Sequence, residues 1–150
     1  MVFIADSTEQ TKKVAYDFAE LLQKKRSTGA LVSPYIALRG EMGVGKTAFV
    51  CGFASFFGIS GVKSPTYTVM NEYRSERARI FHFDMYRISD ADDLYSIGYD
   101  DCLEKDAIVI VEWSENITEF IPEGAVFVTI ERSPESENAR KITIDFDFLE

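Results

Sequence analysis

Apolar residues in the first third of the chain follow a pattern that predicts a helix, a strand and a second helix. Between residues 14 and 22 they recur at helical spacing, and the hydroxyl of Ser7 is a candidate cap for that helix. A short apolar run at residues 35–38 predicts a strand. Residues 48–57 are apolar on nearly every side, which predicts a buried helix that ends at Gly58.

Farther along the chain the pattern predicts mainly strands. Residues 67–73 and 79–84 predict two strands joined by a charged turn. Ser89 is predicted to cap a short helix, with Asp92 at the capping-box position. Residues 108–111 form a four-residue apolar run, which is typical of a central strand that is covered on both faces.

Alternating apolar and polar residues at 126–130 and 141–146 flank a polar turn with Pro134, and this predicts a terminal hairpin. The order of elements is then helix, strand, helix, strands, helix, strand and hairpin. This order predicts a three-layer α/β sandwich whose sheet is mixed and is parallel near its middle. The chain has 150 residues and no visible repeat or linker, so residues 1–150 are predicted to form a single domain.

Composition narrows the class of protein further. Hydrophobic residues make up 46% of the chain and charged residues 27%, a balance that excludes a wholly disordered protein. No apolar run approaches the ~18 residues that a membrane span needs. Because the first residues lack the features of a signal peptide, a cytoplasmic protein with no membrane contact is expected. Cys51 and Cys102 are then expected to be reduced thiols.

The charge of the chain is −9 and is unevenly distributed. Residues 80–150 hold five basic and 18 acidic residues, so the chain is not expected to bind a nucleic-acid duplex by itself. Any nucleic acid should reach it through a partner. The densest acidic stretch, residues 90–106, holds seven carboxylates and one lysine. It is either a solvated helical face or a docking surface for a basic partner.

The segment GEMGVGKT at residues 40–47 matches the phosphate-binding pattern G-x-x-x-x-G-K-[ST], and it lies between a predicted strand and a predicted helix. The glycines let successive backbone N–H groups face a phosphate, and the helix N-terminus adds a partial positive charge. Lys46 can reach the β- and γ-phosphates, and Thr47 presents a hydroxyl to Mg²⁺. The predicted nucleotide-binding positions of this segment are Gly43, Val44, Gly45, Lys46, Thr47 and Ala48. The predicted fold is therefore of the P-loop NTPase type.

Two acidic residues end predicted strands and are candidates for metal binding and catalysis. Asp84 follows Phe81-His82-Phe83, and Glu112 follows residues 108–111. Mg²⁺ bound to phosphates takes at most one direct carboxylate and several waters. One acid therefore binds the metal while the other orients the attacking water, and the residues alone leave open which does which. Either could instead be an ordinary strand-end carboxylate.

Four further features of the sequence each have two possible interpretations. The hydroxyl-rich segment 63–68, which contains Thr66, is either a loop that senses the γ-phosphate or a plain Ser-Pro turn. Arg87 could neutralise transition-state charge or form a surface ion pair. His82 is interpreted as a hydrogen-bonded strand residue rather than a base. Trp113 packs in the core or lies at the nucleotide or partner surface, and strand alternation places it opposite Glu112.

The absence of an [NT]-K-x-D motif favours ATP over GTP as the nucleotide. Within the nucleotide-binding class, the expected activity is a Mg²⁺-dependent ATPase. A small-molecule kinase is the alternative enzyme, although only five basic residues after residue 79 could form an arginine-bearing lid. The alternative that is not an enzyme is a nucleotide-sensing module that never hydrolyses ATP.

Four strings together resemble the TsaE (YjeE) family of bacterial ATPases. They are GEMGVGKT at residues 40–47, VKSPTYT at 62–68, HFDMYR at 82–87 and VEW at 111–113. The resemblance runs from about residue 7 to about residue 131. It implies binding of Mg²⁺ and ATP, association with a TsaB–TsaD pair, and ATP hydrolysis that supports repeated rounds of threonylcarbamoyl modification of tRNA adenosine 37. The tRNA would be contacted only indirectly.

The resemblance also implies roles for single residues. Lys46 would contact phosphate, Thr47 and Glu112 would hold Mg²⁺, and Asp84 would be the second functional acid. Trp113 would lie near the site. Thr66 falls in the switch-like loop, and Thr8 falls where the family contacts the nucleotide, although the match there is loose. Ser114 replaces a common proline, which would loosen the loop after Trp113, and no role is implied for the terminal hairpin.

Overall fold

The computed structural model describes residues 1–29 and 34–146, and its seven strands belong to one sheet. The strands are β1 (Val2–Ala5), β2 (Tyr35–Arg39), β3 (Met70–Arg74), β4 (Arg79–Asp84), β5 (Ile108–Glu112), β6 (Val126–Arg132) and β7 (Arg140–Phe146). The helices are α1 (Thr8–Ser27), α2 (Lys46–Phe56), α3 (Ala91–Ser96), α4 (Tyr99–Leu103) and a 3₁₀ segment over Ser114–Phe120. The order of strands across the sheet is β1-β7-β6-β2-β5-β4-β3.

The centre of the sheet is parallel and its edges are antiparallel. Strand β2 pairs in parallel with β5 and β6, and β4 pairs in parallel with β5. The outer pairs β3–β4, β6–β7 and β1–β7 are antiparallel. The predicted mixed, centrally parallel α/β sheet and its terminal hairpin are thereby confirmed. Parallel strands also bring the carboxyl ends of β2, β4 and β5 to the same edge of the sheet.

The two faces of the sheet bury separate hydrophobic clusters, and strand β2 shows how the sequence divides them. Its alternate residues Ile36 and Leu38 pack in the cluster beneath α1 and α2. Its other residues, Tyr35 and Ala37, pack in the cluster on the opposite face with residues of α3 and α4. Because both faces are covered, the strands in the middle are apolar over most of their length, and the fold has three layers.

Close packing of α1 on α2 depends on Gly52. A Cβ at Gly52 would lie 2.6 Å from the Cα of Lys12, so a larger residue forces the two helix backbones apart. We expect Gly52→Ala to lower the free energy of unfolding by about 2 kcal/mol, because overpacking exceeds the gain in helix propensity. Ser55→Ala, on the exposed side of the same helix, is the control and should be nearly neutral. Equal denaturation midpoints for the two variants would contradict the packing of these helices.

Three local predictions were wrong or incomplete. The strand predicted from residue 67 begins at Met70, because residues 66–68 form a turn that Val69 closes by donating its N–H to Pro65 O at 2.7 Å. Asp90, not Ser89, caps α3 by accepting from the N–H of Asp93 at 2.9 Å. Strand β1 was not predicted, because it is short and lies at the sheet edge with its alternate side chains exposed.

The remaining predicted elements are present. Ser7 caps α1 by accepting from the N–H of Gln10 at 3.2 Å, and Gly58 follows α2 with a positive φ of 77°. Cys51 and Cys102 form no disulfide. Within residues 1–29 and 34–146, no helix has the length and apolar character that crossing a membrane requires.

Candidate functional site

The loop that connects β2 to α2 has the backbone conformation that its glycines permit. Gly40, Gly43 and Gly45 have φ values of 152°, 81° and 110°, which side-chain-bearing residues rarely adopt. A Cβ at Gly40 would lie 2.7 Å from Ile130 O, so glycine is also required there by close packing against β6. Gly45 is the N-cap residue of α2, and the first turn of that helix therefore directs its free N–H groups toward the loop.

A pocket of about 420 Å³ lies beside this loop at the carboxyl ends of β2, β4 and β5. Six of the residues predicted from the sequence line it together: Lys46, Thr47, Thr66, Asp84, Glu112 and Trp113. The parallel register explains the proximity of the two acids, since Asp84 and Glu112 are paired residues of β4 and β5. Arg87 also lines the pocket, is exposed, and forms no ion pair with any residue that the structure describes.

Lys46 projects from the first turn of α2 into a partly enclosed, acidic environment. Its Nζ donates to Gly40 O at 2.5 Å and lies 4.2 Å from the centre of the Trp113 ring. Burial lowers the pKa of Lys46, and the negative charges of Glu112, Glu115 and Asp84 oppose that decrease. A cation at this position can balance the charge of a bound phosphate.

Both acids are buried and are held in place by neighbouring donors. Asp84 accepts a hydrogen bond from the Thr66 hydroxyl at 3.3 Å and another from the N–H of Tyr86 at 2.9 Å. Oε2 of Glu112 accepts from Nε2 of His82 at 2.5 Å. The other carboxylate oxygen of Glu112 accepts no hydrogen bond from the described residues, so it is available to a cation or a water molecule.

The donor set fits Mg²⁺ that is held mainly by phosphate. Among the described residues no group of three or more His, Cys, Asp or Glu side chains could hold a metal ion by itself. The oxygen donors that the pocket offers beside the phosphate-binding loop are the Thr47 hydroxyl and the carboxylates of Asp84 and Glu112. A site of this kind binds Mg²⁺ through one or two protein oxygens, with phosphate oxygens and water completing the octahedron.

A second pocket, of about 350 Å³, lies beside the same loop. It brings Thr8 of α1 together with the loop and with the start of α2, at Gly43, Val44, Gly45 and Ala48. Arg140 of β7 closes this pocket, and its Nε donates to Val44 O at 3.0 Å. No local pattern in the sequence indicates Arg140, because its contact with the loop spans 96 positions and depends on the register of the hairpin.

Trp113 and His82 differ in how well the strand pattern predicts their positions. Alternation along β5 would place Trp113 opposite Glu112, but a strand end need not follow it, and Trp113 lines the same pocket as Glu112. Strand β5 ends at Glu112, and Trp113 has a positive φ of 56°, which turns its ring into the same pocket and against the ring of Tyr86. His82 is a buried, hydrogen-bonded strand residue, as predicted. Ser114 does not loosen the next turn, because it is buried and its hydroxyl donates to Leu38 O at 3.3 Å.

The central parallel sheet and the glycine loop between β2 and α2 define an α/β protein of the P-loop NTPase type. A family model described as threonylcarbamoyl adenosine biosynthesis protein TsaE matches residues 5–142. The chain belongs to the TsaE family.

Proteins named tRNA threonylcarbamoyladenosine biosynthesis protein TsaE are similar to this chain over most of its length. The protein of Haemophilus influenzae is 36% identical over 126 residues, which are 83% of this chain and 78% of that protein. The protein of Aquifex aeolicus is 34% identical over 144 residues, 94% of this chain and 92% of that protein. The crystal structure of Bacillus subtilis YdiB superposes with a TM-score of 0.68 at 26% identity, covering 96% of this chain and 83% of that one.

Proposed function

We propose that this chain binds ATP with Mg²⁺ at the phosphate loop and hydrolyses it, and that hydrolysis supports threonylcarbamoyl modification of tRNA adenosine 37. In this role it acts on a TsaB–TsaD complex in the cytoplasm and contacts tRNA only through that complex. The observation that carries the proposal is the pocket at the carboxyl ends of β2, β4 and β5. Its lining combines a lysine, a hydroxyl and two buried acids beside a phosphate-binding loop.

Each side chain has a chemical task in this proposal. Lys46 and the N–H groups of residues 43–48 bind the phosphates, and Thr47 and Glu112 hold the metal ion. The ion, when bound, neutralises the charge that develops on the phosphate oxygens. Asp84, the second acid, orients the attacking water, and its hydrogen bond with Thr66 links that water to the switch-like loop.

The second pocket supports a position for the rest of the nucleotide. It shares Gly43 and Gly45 with the phosphate site, so a nucleotide that runs across the loop would reach it. Thr8 is the residue of α1 proposed to contact the nucleotide there. Arg140 would hold Val44 in the conformation that the loop needs.

Hydrolysis by the isolated chain is proposed to be slow. The pocket is open to solvent at Arg87 and Tyr86, whose side chains are exposed, and water at this edge weakens electrostatic stabilisation of the transition state. Docking on the TsaB–TsaD pair would close the site and supply further stabilisation. The energy of hydrolysis would then be used to return that pair to its starting state.

A tRNA-modification assay with substrate in large excess tests this function. TsaB and TsaD, supplied with tRNA and the threonylcarbamoyl donor, should modify roughly one tRNA per complex without this chain and many tRNAs when the chain and ATP are added. Equal numbers of rounds with and without the chain would contradict the proposal. Transfer of label from γ-labelled ATP to a nucleoside or sugar would instead indicate a kinase. Full support of many rounds by a chain that carries both Asp84→Ala and Glu112→Ala would indicate a sensing module.

A further inference from the structure

A series of hydrogen bonds connects Glu112 to the segment of residues 63–66 by way of His82 and Tyr73, and it runs from a buried end at Glu112 to an exposed end at Lys63. His82, on β4, contacts Glu112 through Nε2 at 2.5 Å and the Tyr73 hydroxyl through Nδ1 at 3.0 Å. The Tyr73 oxygen in turn lies 3.3 Å from the backbone N of Lys63 and 3.0 Å from its carbonyl oxygen. The side chain of His82 is fully buried, so water cannot replace either of its partners.

Each polar side chain of this hydrogen-bonded network contacts a partner on either side. The carboxylate of Glu112 is the acceptor toward Nε2 of His82, and Nδ1 of His82 lies against the Tyr73 hydroxyl. The Tyr73 hydroxyl donates to Lys63 O at 3.0 Å and accepts from the N–H of Lys63 at 3.3 Å. The carbonyl of Lys63 is satisfied by Nδ2 of Asn71 at 3.2 Å. These contacts join the loop to Glu112 through Tyr73 and His82.

The same loop is tied to the other acid at its far end. Thr66 donates to Asp84, and the Ser64 hydroxyl lies 2.6 Å from the Thr66 hydroxyl. The loop is therefore held to Asp84 directly and to Glu112 through two intermediate side chains. A change in the orientation of either carboxylate therefore acts on the loop of residues 63–66, to which the other carboxylate is also connected.

The backbone that follows this loop is strained. Val69 has a positive φ of 67°, which is unfavourable for a β-branched residue. It is kept there because its N–H donates to Pro65 O at 2.7 Å and its carbonyl accepts from the N–H of Asp84 at 2.9 Å. Strain of this kind persists only where neighbouring contacts hold it, and it is common in segments that change conformation.

We propose that His82 and Tyr73 are positioning residues that couple the orientation of the Glu112 carboxylate to the position of residues 63–66. The inference rests on the proposed function, because it assigns Glu112 to the metal and the loop to the γ-phosphate. His82 aims one oxygen of Glu112 and leaves the other for the metal. Tyr73 transmits a displacement of His82 and Glu112 to Lys63. The displacement then reaches the hydroxyls of Ser64 and Thr66.

Two substitutions of His82 separate its two contacts. In His82→Gln the side-chain amide lies near the position of Nε2 and can still donate to Glu112. In His82→Asn the amide lies near Nδ1 and reaches only toward Tyr73. If His82 positions Glu112, ATP turnover should fall about tenfold or more in His82→Asn and clearly less in His82→Gln. Equal turnover in the two variants would overturn the positioning role, since a merely structural histidine has no reason to prefer glutamine.

Tyr73→Phe tests the connection to the loop, with Tyr99→Phe as the matched control. Each change deletes one hydroxyl, and that of Tyr99 bonds the Tyr35 hydroxyl at 2.7 Å in the cluster on the other face of the sheet. Amide hydrogen exchange in the free protein should become several-fold faster at Lys63, whose N–H donates to the Tyr73 hydroxyl, in Tyr73→Phe and should stay unchanged there in Tyr99→Phe. Unchanged exchange in both variants would overturn the connection.

The last comparison measures coupling itself. Addition of Mg²⁺ and ATP should slow exchange at residues 63–66 in the wild-type chain, and this slowing should be lost in Tyr73→Phe although the nucleotide still binds. Slowing of equal size in both chains would overturn the proposal. A wild-type chain that binds no Mg²⁺ and ATP would refute the proposed function instead, and the exchange of the free variants would still decide whether Tyr73 holds the loop.

Discussion

Lys46→Ala should reduce ATP turnover by on the order of 10²-fold or more, because the variant loses the cation that balances phosphate charge in a partly enclosed pocket. The wild-type side chain is held in position before any ligand binds, by Gly40 O and the face of Trp113. Its removal also leaves the negative charges of Glu112 and Asp84 without the opposing charge of Lys46, so anionic phosphates should be repelled. Binding of ATP should weaken together with turnover.

Trp113 provides the binding measurement for that prediction, since its ring lies 4.2 Å from Lys46 Nζ. Mg²⁺ and ATP should change its fluorescence in the wild-type chain, and GTP should do so less. Lys24→Ala is the control, because it removes the same charge from an exposed position at the end of α1. Wild-type affinity and turnover in Lys46→Ala would remove the phosphate loop from the mechanism.

Glu112→Gln should lower Mg²⁺-dependent turnover by about 10²-fold while the chain still binds nucleotide in the absence of Mg²⁺. The glutamine is of nearly the same size, and its carbonyl oxygen can still accept the hydrogen bond from His82, so the fold should be retained. What is lost is the negative charge that the metal needs.

Glu115→Gln is the matched control for that substitution. The negative charge of Glu115 opposes the decrease that burial causes in the pKa of Lys46. Glu115 nevertheless does not line the pocket that holds Glu112. Its neutralisation should change turnover little. Equal losses in the two variants would mean that the general negative charge near Lys46, rather than a metal ligand at Glu112, supports activity.

Sequence was a good guide wherever one short segment determines the structure. The phosphate loop lies between a strand and a helix as predicted, because the glycines, the lysine and the following apolar helix are adjacent in the chain. The doubly covered strand β5 was recognised for the same reason: a short apolar run is sufficient evidence of burial on both faces.

Contacts between distant segments could not be predicted in this way. The sequence predicted that Glu112 and Asp84 would each end a strand. The direct contact of Glu112 with His82, however, depends on the register of β4 beside β5. The contact of Arg140 with Val44 depends in the same manner on how β7 lies in the sheet. Such registers are set by the packed sheet as a whole, and no local pattern specifies them.

Local exceptions to the usual backbone conformation explain the remaining differences between the predicted and the observed structure. Val69 and Trp113 both have positive φ values, and each redirects the chain at the point where a regular strand was expected. Neither is a residue type that favours this conformation, so sequence gave no signal for it. Both residues border the proposed site, which is where departures from local preference are expected in a folded protein.

The most direct test of the account is ATP turnover by the purified wild-type chain, measured with and without its cognate TsaB and TsaD. We expect a slow rate for the chain alone, a clear increase when the pair is added, and no activity above background in Lys46→Ala under either condition. A rate that does not respond to the pair would contradict the proposal that this ATPase site acts on a TsaB–TsaD complex.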